Sequence, residues 1–290
     1  MKALFLHAHF DDYEFTAAGT FELWRRALGA AFQARVVICT DGRAGHHRLT
    51  REETWRVRWQ EQQESAALGG YECEVLRLPD GAVPREACLR VTVDLLAALW
   101  KAIRDFEPDY LFCPPLPADP LAGMHVDHAA IAQAVREVAY MINVPHAFTP
   151  EYPADETRSR PCRVPVIIAT YDTYMSGANA FDLVVDVEPA MDLITRMSWS
   201  HQSQIREWLP WVGRHEMEAP EDLEAWSRTL RARKERENRE LGLPERPATE
   251  VFTVTGWGER PDVDRLRRDF PGLVRDEQRE ARLRRRFARG

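Results

Sequence analysis

Short apolar runs alternate with longer stretches of helical periodicity along the chain, and no other feature restricts its fold as much. Runs rich in Val, Ile, Leu and Phe at residues 3–8, 34–40, 73–78, 110–113, 164–171 and 183–187 read as strands. Residues 19–28, 51–68, 91–106 and 129–142 carry helical patterns; the second stops at Gly69-Gly70, a usual helix end, and in the third Leu95, Leu96 and Leu99 share one face. Such alternation is the signature of βαβ units. The fold class expected is therefore α/β, a Rossmann-like, mostly parallel sheet flanked by helices. Residues 191–208 return to helix, and 250–257 read as a late edge strand. The stretch 145–165, rich in Pro and charge, reads as a long loop, which in a compact domain is more often functional than structural.

Length and charge narrow the function classes. At 290 residues the chain can bury a full core without staples, and no repeat or linker divides it. One domain over residues 1–260 with an Arg-rich C-terminal helical tail over 261–290 is expected. The net charge of −7 does not suit a phosphate backbone, so nucleic acid is excluded as a partner of the whole chain. The balance is uneven, because residues 265–290 hold ten Arg and four acids. That tail reads as a solvated helix end; contact with an acidic partner or a second subunit in a homo-oligomer is compatible with it. Cys39, Cys73, Cys88, Cys113 and Cys162 form no CxxC pair and are odd in number, the pattern of reduced core thiols. The first apolar run meets charge at Asp11 without a cleavage site, and no stretch approaches the roughly 18–20 apolar residues of a membrane span. A cytoplasmic protein without a membrane partner is expected.

Two segments carry the chemistry. His7-Ala8-His9-Phe10-Asp11-Asp12 follows the first strand, and the segment from Pro114 to His128, ending His125-Val126-Asp127-His128, follows the fourth. Ligands of open α/β sheets bind beyond the carboxyl ends of strands, so both lie where a site belongs. Alone, an Asp-Asp at a strand end is commonly a turn or helix cap. Together, four of the nine histidines and three Asp converge, and imidazole plus carboxylate suits a divalent metal that keeps one position open for water.

His7-x-His9-x-Asp11 partly resembles the H-x-H-x-D-H motif of metallo-β-lactamase-type hydrolases, but Asp12 stands where that motif has His. Ala8-His9-Phe10-Asp11-Asp12-Tyr13-Glu14 with Gly19-Thr20, and His125-Val126-Asp127-His128 further on, resemble the two signatures of the PIG-L/LmbE-like metal-dependent N-deacetylase family. Thr40-Asp41-Gly42, Arg58 and Glu61 ahead of Ala66-Ala67-Leu68-Gly69, Leu78-Pro79-Asp80-Gly81, and His201-Gln202-Ser203-Gln204 extend the likeness over roughly residues 1–260. Phe10 departs from it, replacing a proline whose fixed φ stiffens the turn.

The resemblance implies that His9, Asp12 and His128 hold the metal, Zn²⁺ or alternatively Fe²⁺ or another divalent ion. It also implies that Asp11 is general base and later acid, that a protonated His125 oriented by Asp127 stabilises the oxyanion, and that Arg58 contacts substrate. The function implied is a hydrolase removing an acetyl or other acyl group from the amide nitrogen of an N-acetylglucosamine-type or related small molecule. An amidase of a non-sugar acyl amide, or a non-catalytic metal- or sugar-binding relative, is the alternative. His201 reads as structural, and Trp55, Trp59, Trp208 and Trp211 as core or subunit contacts rather than sugar platforms.

Overall fold

In the computed structural model, residues 1–158, 160–175, 179–213, 217–243, 246 and 248–288 are described. Among them seven strands form one sheet in the order β3-β2-β1-β4-β5-β7-β6. They are β1 (Lys2–His7), β2 (Gln33–Ile38), β3 (Glu72–Val75), β4 (Tyr110–Cys113), β5 (Val166–Ala169), β6 (Leu183–Asp186) and β7 (Thr249–Val254). β3 to β5 pair in parallel, whereas β7 runs antiparallel to both β5 and β6. The strand expected late and at the edge is thus interior, and β6 forms the edge.

The helices are α1 (Asp12–Thr16), α2 (Ala18–Leu28), α3 (Arg51–Gly69), α4 (Val93–Phe106), α5 (Val126–Val138), α6 (Met191–Trp199), α7 (Leu209–Val212), α8 (Leu223–Glu240), α9 (Val263–Asp269) and α10 (Glu277–Phe287). A π-helical turn, Ser203–Trp208, precedes α7, so the helix expected over 191–208 is broken near His201. Residues 223–240, unassigned from the sequence, make a long helix whose high charge hides a short anchor: Trp226 and Leu230, one turn apart, are fully buried.

Alternation along the central strands sorts the core into two. Ala3 and Phe5 of β1 face one cluster with Phe21, Trp24, Ile194 and Trp226, while Leu4 and Leu6 face another with Leu99, Ile103, Ile131 and Val135. Both faces being covered is why the strands read as continuous apolar runs. The loop over 145–165 packs Phe148 against Trp100 on the second face, and none of its described residues lines the main cavity. In the C-terminal stretch, Val263, Leu266, Phe270 and Leu283 are buried in the first cluster, and Arg286 forks onto Asp182 at 2.6 and 2.9 Å. Arg289 and Gly290 of the expected tail lie outside the described residues.

Topology positions the site. β1 pairs with β2 on one side and β4 on the other, so the connections diverge there and leave a crevice beyond the carboxyl ends of β1 and β4. Glu250 of β7 stiffens that end of the molecule, accepting hydrogen bonds from the Gly19 and Thr20 amides at 2.7 and 2.8 Å and so capping α2. A side chain at position 19 would meet Val187 Cβ at 2.6 Å, which is why Gly19 precedes Thr20.

Candidate active site

The turn after β1 decides where the two adjacent carboxylates go. Asp11, the N-cap of α1, has φ 76° and ψ −17°, a left-handed conformation that Asp tolerates better than most residues. Asp12 therefore turns inward: its Oδ2 accepts from the His9 amide at 2.7 Å and lies 2.5 Å from His7 Nδ1. Asp11 turns toward α3, with Oδ1 3.8 Å from Arg58 Nη2 and its amide donating to Gln62 at 3.2 Å. The divergence of the two carboxylates comes from this single left-handed residue.

Packing holds the turn without a proline. The Phe10 ring is fully buried, edge-on to Trp55 and Trp59 with centroids 5.8 and 6.3 Å away. Gly42 makes room for it, since a Cβ there would stand 2.2 Å from the ring. Arg58, also buried, donates to the carbonyls of Phe10 and Gly42 at 3.2 Å and to Glu86 at 3.1 Å. It lines the cavity but is already tied into the wall, bracing the turn. Tryptophans 55 and 59 are thereby accounted for as packing.

His125 caps α5, and His128 stands in its first turn, because this helix starts three residues earlier than the pattern at 129–142 suggested. His9 Nδ1 and His128 Nε2 are 3.1 Å apart, and each is 3.5 Å from Asp12 Oδ2. Ligand atoms about 2.0–2.1 Å from a tetrahedral cation stand about 3.3 Å from one another, so this triangle has the right size and donor types. The remaining ring nitrogens face carboxylates: His9 Nε2 lies 3.1 Å from Asp127 Oδ2, and His128 Nδ1 lies 2.8 Å from Asp172 Oδ2. That arrangement fixes the tautomer that leaves the facing nitrogens free for a metal. Two further trios, His7–Asp12–His128 and His9–His125–His128, have ligand atoms within 4.8 Å. The 2.5 Å between His7 and Asp12 is a hydrogen bond rather than the spacing of two ligands on one ion.

Asp127 faces His9 rather than His125. Its carboxylate is fully buried, takes the Ala87 and Leu89 amides at 2.6 and 3.1 Å, and stays 4.0 Å from His125 Nδ1. His125 Nδ1 instead accepts the Asp127 amide at 3.2 Å, which places its ring proton on Nε2. Burial, then the neighbouring His9 and His128, lower its pKa to about 4, a direction that opposes the protonated ring the resemblance implies. Burial pulls His9 and His128 the same way, but carboxylates led by Asp12 prevail and hold them at about 10 and 9. Burial lifts Asp11 to about 7 against the pull of Arg58 and His201.

His201 is fully buried, 3.4 Å from Glu14 Oε1. Ser203 donates to Glu61 through its amide and hydroxyl at 2.7 and 2.6 Å, and Gln204 donates to the Gly45 carbonyl at 3.0 Å. The His201 to Gln204 element therefore clamps α3 and the loop after β2. Trp208 lines the cavity, whereas Trp211 stacks outside on His47 at 4.7 Å. Asp172, Glu86 and His7 were not assigned roles from sequence; Asp172 does follow a strand end, the signal that could have found it.

The cavity over these groups measures about 510 Å³. A mostly parallel sheet with a His/Asp cluster over its switch point defines a Rossmann-like α/β protein with a candidate metal centre. Residues 4–139 match the family model PIG-L: GlcNAc-PI de-N-acetylase, a family of hydrolases acting on amides. Among solved structures it resembles the N,N'-diacetylchitobiose deacetylase of Pyrococcus horikoshii at 22% identity, covering 88% of this chain and 84% of that one, with a TM-score of 0.67. It also resembles the conserved protein TT1542 of Thermus thermophilus (20%, 87% and 93%, 0.61) and GalB, the 4-carboxy-2-hydroxymuconate hydratase of Pseudomonas putida (16%, 88% and 95%, 0.59). No curated protein matches the chain significantly by sequence. One fold thus carries a deacetylase and a hydratase, and function has to be argued from the site. Among the described residues no helix is long and apolar enough to cross a membrane.

Proposed function

We propose that the protein is a divalent-metal-dependent N-deacetylase acting on an N-acetylglucosamine-type or related N-acylated small molecule. The observation that carries this reading is the His9–Asp12–His128 triangle, with a carboxylate behind each histidine. These three would hold the cation, Zn²⁺ in first place and Fe²⁺ or another divalent ion as alternatives. Bound there, it supplies Lewis acidity toward an amide carbonyl and an attacking water.

The chain's own groups do the rest. Asp11, which lines the cavity beside the triangle, takes the proton of the attacking water on its carboxylate and returns it to the leaving amine. His125 Nε2–H donates to the carbonyl oxygen as negative charge builds there. Asp127 and Asp172 hold His9 and His128 in place, and Arg58 keeps the Asp11 turn in register while lining the substrate's path. A cytoplasmic setting belongs to the same proposal, supported by the five free thiols.

The test is acetate release by metal-loaded protein from N-acetylated amino sugars and glycosides. Asp11→Ala should keep the metal and lose at least about 10²-fold in turnover. No acetate from any substrate, with metal bound stoichiometrically, would overturn the reading in favour of a binding protein. The apolar cavity wall of Phe15, Trp208, Leu209 and Val212 favours, as a second reading, an acyl amide whose amine part is not a sugar. N-acetylated amino acids and anilides therefore belong in the same panel.

A further inference from the structure

Arg233 lines the cavity from α8, a helix that gives nothing to the metal cluster. Its guanidinium lies over the Phe15 ring at 4.7 Å, and its Nε donates to Glu237 at 2.9 Å. These two contacts fix the plane of the group and use one of its five N–H donors. Among the described residues, no acceptor takes the Nη groups. Glu237 does not neutralise Arg233 alone, because Lys234 lies 3.5 Å from the same carboxylate, held by the Phe15 carbonyl at 3.1 Å. Two cations share one buried acid, and the excess positive charge adjoins a cavity whose remaining charged lining, Arg58 and the clustered histidines apart, is acidic. A guanidinium held over Phe15 with free Nη donors, in a cavity that Leu209 and Val212 also line, matches an oxyanion carried on an apolar or ring-shaped body.

We infer that Arg233 is the specificity residue of a second subsite, which binds a carboxylate or phosphate on the amine side of the substrate. The metal triangle fixes the acyl end of the molecule, so the anion belongs to the part that leaves as the amine. This rests on the deacetylase reading for direction, but its test separates the two. Matched pairs serve as probes: 4-carboxyphenyl N-acetyl-β-glucosaminide against its methyl ester, and N-acetylglucosamine 1-phosphate against methyl N-acetylglucosaminide. The wild type should favour at least one anion over its neutral partner by about tenfold or more in kcat/KM, and the favoured pair identifies carboxylate or phosphate. In Arg233→Met the anion should lose roughly ten- to a hundredfold more than the neutral partner, with Arg233→Lys recovering part of it. Calorimetric binding of the same probes to metal-free wild type and Arg233→Met gives a readout independent of turnover. If no acetate appears anywhere but Arg233→Met still weakens anion binding selectively, the deacetylase reading fails and the subsite stands. If neither kcat/KM nor binding distinguishes the pairs, or Arg233→Met weakens both members equally, the subsite is refuted.

Discussion

Replacing Asp172 tests whether the cluster is a metal site or only a buried polar network. Its Oδ2 accepts from His128 Nδ1 at 2.8 Å, and its Oδ1 accepts the Tyr174 amide at 2.8 Å. Asp172→Asn keeps an acceptor but removes the charge that raises the basicity of His128. Asp172→Ala also leaves a buried N–H without a partner. Carboxylates behind metal-bound histidines are worth about 10–100-fold in affinity, or about 1.4–2.8 kcal/mol, so Asn should sit near the lower figure and Ala near the upper. The assay is zinc competition against a chromophoric chelator at pH 7.5, with circular dichroism as the check on folding. The Asn179 amide clamps the Asp172 backbone independently, donating to its carbonyl at 2.8 Å, so the loop should persist in both variants. If zinc binds both variants within twofold of wild type, His128 is not a ligand oriented by Asp172, and the assignment of the triangle falls with it.

Two other outcomes follow from packing and charge. Phe10→Ala should cost about 3–5 kcal/mol in urea unfolding, because a fully buried ring is removed from between Trp55, Trp59 and Gly42; a loss below 1 kcal/mol would show that something else holds the turn. Burial opposes ionisation of Glu237, but Lys234 and Arg233 outweigh it and lower its pKa in the folded state. Its contribution is then complete above the ordinary carboxylate value and is lost as pH falls through the lowered one. On acidification below about pH 4.5 the wild-type Tm should fall more steeply than that of Glu237→Gln, and parallel curves would contradict the pairing.

Much of the site was legible because its chemistry sits in two short segments at strand ends. His9, Asp12 and His128 converge as the paired signatures implied, since β1 and β4 are neighbours and present their carboxyl ends together. What stayed hidden is residues whose meaning depends on a partner far along the chain. Asp172 is a lone acid after β5, and Glu86 is an acid in a turn; neither has a spacing that points to His128 or Arg58. The role of Asp127 was misdirected for the same reason. Nearness in sequence favoured His125, whereas the fold brings His9 to 3.1 Å. In α8 charged residues outnumber the two buried anchors, so its periodicity is faint. The interior place of β7 could not be read either, because strand order is set by pairing rather than by the composition of one strand.

The cap that Glu250 places on α2 bears on where this protein can be cut. The matched family region ends at residue 139, yet the amides of Gly19 and Thr20 inside it are completed by a carboxylate about 230 residues downstream. Among the described strands β6 joins the sheet only through β7, so the last of them to be synthesised is the one that closes the assembly. A fragment stopping at 139 would keep both His/Asp signatures and still lack β5, β7 and the cap. Contacts so distant in sequence are slow to form, and the first half of the chain must wait, partly open, for the arrival of the second.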